Sequence, residues 1–201
     1  MRGLSEGVRS ERYATAVSLI DSANAEDPTQ VEVRGERLPL ALAHGRLAAE
    51  WIERLVEDPG EALLLAARAH HLRRWEVPRS SYPEGRAGYL RWRRDQKDRH
   101  AKEIADLLLA ARYDEATINR VQILVRRQRL DIASGTQWIE DAACLVFLET
   151  QLVAVSGQLD RDHLIEVVRK TAGKMSDHGL ALVGEVPLGD DARQILADAL
   201  A

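Results

Sequence analysis

Apolar residues recur at three-to-four spacing along almost the whole chain, and each run stops at a Pro, Gly or Asp signal. That period lines one face of a helix, whereas a half-buried strand would alternate every second residue. In the first run Tyr13, Ala16, Val17 and Ile20 form the stripe, with Leu19 alongside and Ser10 as N-cap. It should end near Ala23–Asn24, before the turn signal Asp27-Pro28. Residues 27–37 hold a short Val31–Val33 alternation and Gly35, and read as loop. Leu38 to Glu57 is the second helix, with Pro39 in the first turn, where its missing N–H costs nothing. Leu40, Ala43, Leu47, Trp51 and Leu55 form its buried stripe, and Asp58-Pro59-Gly60 closes it.

Glu61 to Arg74 is the third helix, and residues 75–86 are loop. Ala87 to Arg112 forms a long helix with Tyr89, Leu90, Ile104, Leu107 and Leu108 inward. Asp114 caps a helix to about Arg129, and Thr136 opens an apolar one to about Ala154 after Ser134-Gly135. Asp160 caps a helix to about Met175, and Asp190 caps a terminal one to about Leu200. No strand, internal repeat or low-complexity segment is expected. The pattern predicts an all-α fold: a single compact helical domain of seven or eight helices over residues 10–201, behind a poorly ordered lead-in at 1–9.

At 201 residues such a domain buries roughly 70% of its unfolded surface. The longest apolar runs, such as Ala62–Ala67, fall far short of the ~20 residues a bilayer crossing needs, so no membrane contact is expected. No basic-then-apolar leader opens the chain, and the lone Cys144 has no internal disulfide partner, so a cytoplasmic setting is expected. A pI of 5.9 argues against a general polyanion binder and leaves room for a local patch.

That patch is the segment from Arg68 to His100. It holds nine Arg and one Lys against four acids, in a chain whose net charge is −4. Three of the six histidines and four of the nine aromatics also fall there. Arg73, Arg74, Arg79, Arg86, Arg91, Arg93 and Arg94 are interleaved with Trp75, Tyr82, Tyr89 and Trp92. Guanidinium forks grip phosphate or carboxylate, and their planes stack on aromatic rings. Such a set suits a phosphorylated small molecule, a nucleotide or single-stranded nucleic acid. A solvated basic face paired with the surplus acids is the structural alternative.

A second constellation is His44, His70-His71, His100 and Asp141, residue types that ligate Zn, Fe or Mn. Taken singly, each His also reads as a helix-end cap or a satisfied buried polar group. The order of the set resembles the HD-domain superfamily of all-α, metal-dependent phosphohydrolases. His44 resembles the first ligand. LLLAARAHHL resembles the apolar helix with its paired motif, with His70 in the His place. WIEDAACLVFLE places Asp141 as the final Asp, and His100 resembles the extra His of dinuclear members. The chain departs from that pattern at His71, where Asp is expected, and by having no His between His100 and Asp141. A closer resemblance is to the uncharacterised family known as domain of unknown function 4202. It is carried by DSANAEDP at 21–28, HLRRWEVPRSSYPEGRAGYLRWR at 71–93 and IEDAACLVFLE at 139–149. That family brings no established activity.

The HD resemblance implies a metal-dependent hydrolase acting on a phosphorylated small molecule or nucleotide. In it His44, His70, His71 and Asp141 hold one divalent metal ion, and His71, His100 and Asp141 serve catalysis. Arg73, Arg74, Trp75, Arg79, Tyr82, Arg86, Tyr89 and Arg93 bind the anion. The alternative is a non-catalytic nucleotide- or RNA-binding module that uses the Arg/aromatic segment 73–94. Glu140 is expected to face away from Asp141 and to pair with an arginine of the basic segment. Asp21, Asn24 and Asp27 are read as caps around the first turn.

Overall fold

The computed structural model describes residues 9–152 and 160–200. All of the expected lead-in except Arg9, and the expected end of the Thr136 helix at Ala154, lie outside those residues. Ser10 caps α1 (Glu11–Asn24), its Oγ accepting the Tyr13 N–H at 3.3 Å. The same Ser10 donates its N–H and O–H to Glu61 Oε1 at 3.0 and 2.6 Å, and Tyr113 O–H donates to Glu61 Oε2 at 2.7 Å. One carboxylate thereby joins the starts of the first and third helices.

The expected loop over 27–37 is corrected in part. Strands β1 (Gln30–Val33) and β2 (Glu36–Pro39) form an antiparallel hairpin, with Val33 opposite Glu36. Its two turn residues, Arg34 and Gly35, have φ of 52° and 82°, the double left-handed turn that matches strand twist. The Val31–Val33 alternation was the strand signal, outweighed in the sequence by its brevity. Arg34 anchors the hairpin, donating to Glu50 at 2.9 Å and Glu149 at 2.8 Å.

Helix α2 (Leu40–Leu55) carries Ala43, Leu47, Trp51 and Leu55 into the core, as its spacing predicts. It packs against α3 (Glu61–Arg68) and α6 (Thr136–Thr150). Gly45 permits the close approach: a Cβ there would meet the Arg68 carbonyl oxygen at 2.5 Å. The remaining helices are α4 (Gly85–Ala110), α5 (Glu115–Arg126), α7 (Arg161–Ala172), α8 (Asp177–Ala181) and α9 (Asp190–Leu200). Asp114 and Asp160 cap α5 and α7 as expected. Helix α4 packs on α5, and α7 on α9. Among the described residues this makes nine α-helices and one hairpin, an all-α domain.

Helices α3, α5 and α7 end earlier than their patterns predict, α7 at Ala172 rather than about Met175. Helix α3 stops at Arg68, short of Arg74; residues 69–73 run as turn, and at their end Arg73 is left-handed (φ 46°) and donates its N–H to Asn24 Oδ1 at 3.1 Å. Two 3₁₀ turns, Arg74–Glu76 and Arg79–Ser81, then occupy what read as plain loop. Helix α5 stops at Arg126, short of Arg129, because Arg127 turns left-handed with φ 45°. Tyr89 and Leu90, expected inward, are 43% and 50% exposed. Only the C-terminal part of α4, with Ile104 and Leu108, enters the core. No helix among the described residues is long and apolar enough to cross a membrane.

Candidate functional site

Four histidines from three parts of the chain meet at one place. Helix α2 supplies His44, the turn after α3 supplies His70 and His71, and α4 supplies His100. Ring centroids lie 4.1 Å apart for His70–His71, 5.2 Å for His44–His71, and 6.4 Å for both His44–His70 and His71–His100. His44 Nδ1 and His71 Nδ1 share a hydrogen bond of 2.9 Å, so one of the two rings is the donor and the other the acceptor. His44 Nε2 lies 3.0 Å from Thr150 Oγ1, and His70 Nδ1 donates to the Ala67 carbonyl at 2.7 Å. His70 Nε2 has no hydrogen-bond partner among the described residues. Neither His100 nitrogen makes a hydrogen bond of normal geometry there, although the Leu72 backbone lies close enough to favour the charged ring.

Burial sets the charge of this cluster. Desolvation lowers His44 to about 3, with the Arg74 guanidinium adding to the effect. It holds His70, His71 and His100 well below the ordinary imidazole value, again with nearby cations reinforcing it. All four rings are therefore neutral at pH 7, the form that has a free lone pair for a proton or a metal.

Asp141 does not join them. It is fully buried, its Oδ1 accepting from Gln137 Nε2 at 2.8 Å and from the Ser176 N–H at 2.9 Å. Its Oδ2 accepts from Ser176 Oγ at 2.5 Å, and that Oγ in turn caps α8. Asp141 thus anchors the α6–α8 corner. Its neighbour Glu140 points the other way, as expected, with Oε2 3.3 Å from Arg127 and Oε1 4.0 Å from Arg93. No three His, Cys, Asp or Glu side chains among the described residues come together as a metal-holding group.

His70, His71 and His100 open onto a cavity of about 720 Å³. Of the predicted anion-binding residues, Arg74, Arg86, Tyr89 and Arg93 line it. The other four do not. Arg79 donates to the carbonyls of Tyr82 (2.9 Å), Pro83 (2.7 Å) and Gly85 (3.2 Å), and so holds the loop together. Tyr82 O–H donates to Asp95 at 3.1 Å, Arg73 faces Glu76 at 3.9 Å, and half-buried Trp75 stays outside the lining.

Arg74 is held toward the cavity from α4. Gln96 Nε2 donates to the Arg74 and Val77 carbonyls at 3.0 and 2.8 Å, and Trp92 Nε1 donates to Val77 at 2.9 Å. Arg99 donates to the Arg73 carbonyl, and the Arg74 guanidinium sits 4.4 Å over the Trp92 ring.

Sequence reasoning missed Lys97, Arg127, Lys170 and Lys174, which also line the cavity. The signal for Lys97 was present: Arg86, Tyr89, Arg93, Lys97 and His100 follow at spacings of three or four, one face of a helix. Lys170 and Lys174 repeat that spacing on and just beyond α7. Arg127 gave no such signal, because only its left-handed turn brings it inward. The cavity therefore gathers seven cationic side chains and one carboxylate, Glu140. Burial and repulsion depress several of the cations: Lys97 to about 8, Arg74 to about 10, and Arg127 below its ordinary value. Burial pushes the Glu140 carboxyl up, but Arg127, Lys97, Arg93 and Lys174 overcome that push and keep it below the usual carboxylate range.

Fold and site together define an all-α domain with a half-open cationic cavity beside a cluster of neutral imidazoles. The chain belongs to the family described as domain of unknown function (DUF4202), whose model matches residues 14–196. No curated protein and no solved structure matches it.

Proposed function

We propose that this cavity binds a phosphorylated small molecule or a nucleotide. The observation that carries the reading is the set of seven cationic side chains around a 720 Å³ space. That volume lies in the range of ordinary metabolite sites. Arg93 and Arg127 share Glu140, and Lys170 pairs with Glu166, which leaves Arg74, Arg86, Lys97 and Lys174 without a carboxylate partner among the described residues. Arg74 and Lys97 are also partly buried, which is costly for an unpaired cation, and an anionic ligand relieves that cost for both at once. A small ligand fits better than a nucleic-acid strand, because Arg79, Tyr82 and Trp92 are spent on contacts within the protein. The cytosol is the compartment we propose, consistent with the buried free thiol of Cys144, which burial pushes up to about 12. A thermal-shift screen of nucleotides and phosphorylated metabolites, with and without divalent metals, tests the reading. Stabilisation by phosphorylated compounds over their dephosphorylated forms supports it, and no shift with any of them defeats it.

A second reading, metal-dependent hydrolysis of the bound phosphate ester, is favoured by the unpartnered imidazole nitrogens. Buried polar atoms without partners are rare and call for a ligand, water or ion. His70 Nε2 and the His100 ring nitrogens would be the nitrogen donors, two side chains where a protein metal site ordinarily supplies three or more. His44 and His71, bonded to each other, set the orientation of the rings beside them. Asp141, committed to Ser176, does not fit as a ligand in this arrangement. A divalent ion bound there would supply Lewis acidity and an acidified water. Arg74, Arg86 and Arg93 hold the anion, and neutral His71 is placed to carry a proton. Metal analysis of untagged protein after reloading tests this reading, and a content far below one equivalent defeats it.

A further inference from the structure

We infer that the cavity selects a ligand with two or more phosphoryl groups over a monophosphate. This rests on the anion-binding reading above and narrows its substrate class. The cations arrive from four separate places: Arg74 in the turn after α3, Arg93 and Lys97 on α4, Arg127 at the end of α5, and Lys174 beyond α7. They nonetheless share one field. Desolvation and the repulsion of Arg127, Arg93 and Lys174 all weigh on the Lys97 ammonium. Glu140, between Arg127 and Arg93, offsets at most one of these charges. Lys97 has no ion-pair or hydrogen-bond partner among the described residues.

A phosphate monoester brings at most about two negative charges at pH 7, on three oxygens clustered at one point. With Glu140 offsetting one charge, it leaves about two of these five cations unmatched. Each further phosphoryl group adds charge and moves oxygens along the cavity, so that cations from different elements find partners together. Tyr89 and Leu90, exposed at the same cavity, give an apolar edge for the organic part of the ligand.

Calorimetric titration of the full chain in EDTA tests this with AMP, ADP, ATP, pyrophosphate, orthophosphate and fructose 1,6-bisphosphate, each at two salt concentrations. ADP and ATP are expected to bind at least about tenfold more tightly than AMP, with a steeper salt dependence. Equal affinity for AMP and ADP, or a preference for AMP, overturns the inference and leaves the anion-binding reading standing. No binding by any of the six probes overturns both. Arg86→Gln and Lys174→Gln, at accessible positions, are each expected to cut the ADP-over-AMP preference at least threefold while the circular-dichroism melt is retained. Undiminished preference in both variants places the binding elsewhere and also overturns the inference.

Discussion

The histidine cluster and the Asp141 corner look alike in the sequence, as polar residues on otherwise apolar helices, and the fold treats them in opposite ways. At the corner both carboxylate oxygens are taken up by Ser176 and Gln137. In the cluster His70 and His100 keep nitrogens with no partner. A buried polar group whose bonds are all made is holding structure. One whose bonds are missing stores a cost that a ligand can relieve. Residue type alone does not tell these cases apart; the count of satisfied atoms does.

The largest expected effect separates the two regions by acid. His44, His70, His71 and His100 have folded values below the unfolded value of 6.5, so the unfolded chain binds more protons once pH falls below about 6.5. Stability is complete above that point and declines as pH drops, by up to about 5 kcal/mol per pH unit for four rings. Urea unfolding of metal-free protein between pH 7.5 and 5 measures it, and His44→Gln should flatten the slope by about one proton. A slope unchanged by that substitution assigns the acid sensitivity elsewhere.

Asp141→Ala comes next, with an expected loss of about 3 kcal/mol from three broken charge-assisted hydrogen bonds. Binding of phosphorylated ligands by the folded fraction should be unchanged. A weakened affinity at full folding would instead put the corner in the site. His100→Gln is the counterpart: stability should change by less than about 1 kcal/mol, since at most a weak contact with the Leu72 backbone is lost. Divalent-metal uptake should fall, and a full equivalent retained would remove His100 from the metal reading.

The smallest effect sharpens the cavity itself. Lys97 sits at about 8, so near pH 8 about half of it is uncharged, and an anion bound beside it raises that value. Calorimetry in two buffers of different ionisation enthalpy should show uptake of about half a proton on ADP binding at pH 8, lost in Lys97→Gln. Absence of uptake in the unsubstituted protein would place the anion away from Lys97.

Much of the fold was legible because helices announce themselves locally. Ser10, Asp114 and Asp160 cap where their positions predict, and α2 buries the stripe its spacing marks. The early stops at Arg68 and Arg126 were not legible, since nothing in the composition of residues 69–73 or of Arg127 marks a turn. The site was half legible for a related reason. Arg74, Arg86, Tyr89 and Arg93 could be proposed from charge and aromatic content. Whether an arginine meets a ligand or a carbonyl depends on what lies within reach, and Arg79 found three carbonyls. Lys97 shared a helix face with predicted residues, and reading α4 as a wheel would have found it.

The fastening of residues 73–77 to α4 has a kinetic side. Gln96, Trp92 and Arg99 hold the backbone carbonyls of this segment from a helix whose N-terminal half stands outside the core. Neither partner has an apolar anchor of its own at that end, so the two open and close as one cooperative unit, below the threshold of global unfolding. Amide exchange over 73–83 and over the first turns of α4 should therefore run at a common rate. A ligand bridging Arg74 and Arg93 slows both together, while exchange in the Ile104–Leu108 half of the same helix stays at the rate of the core.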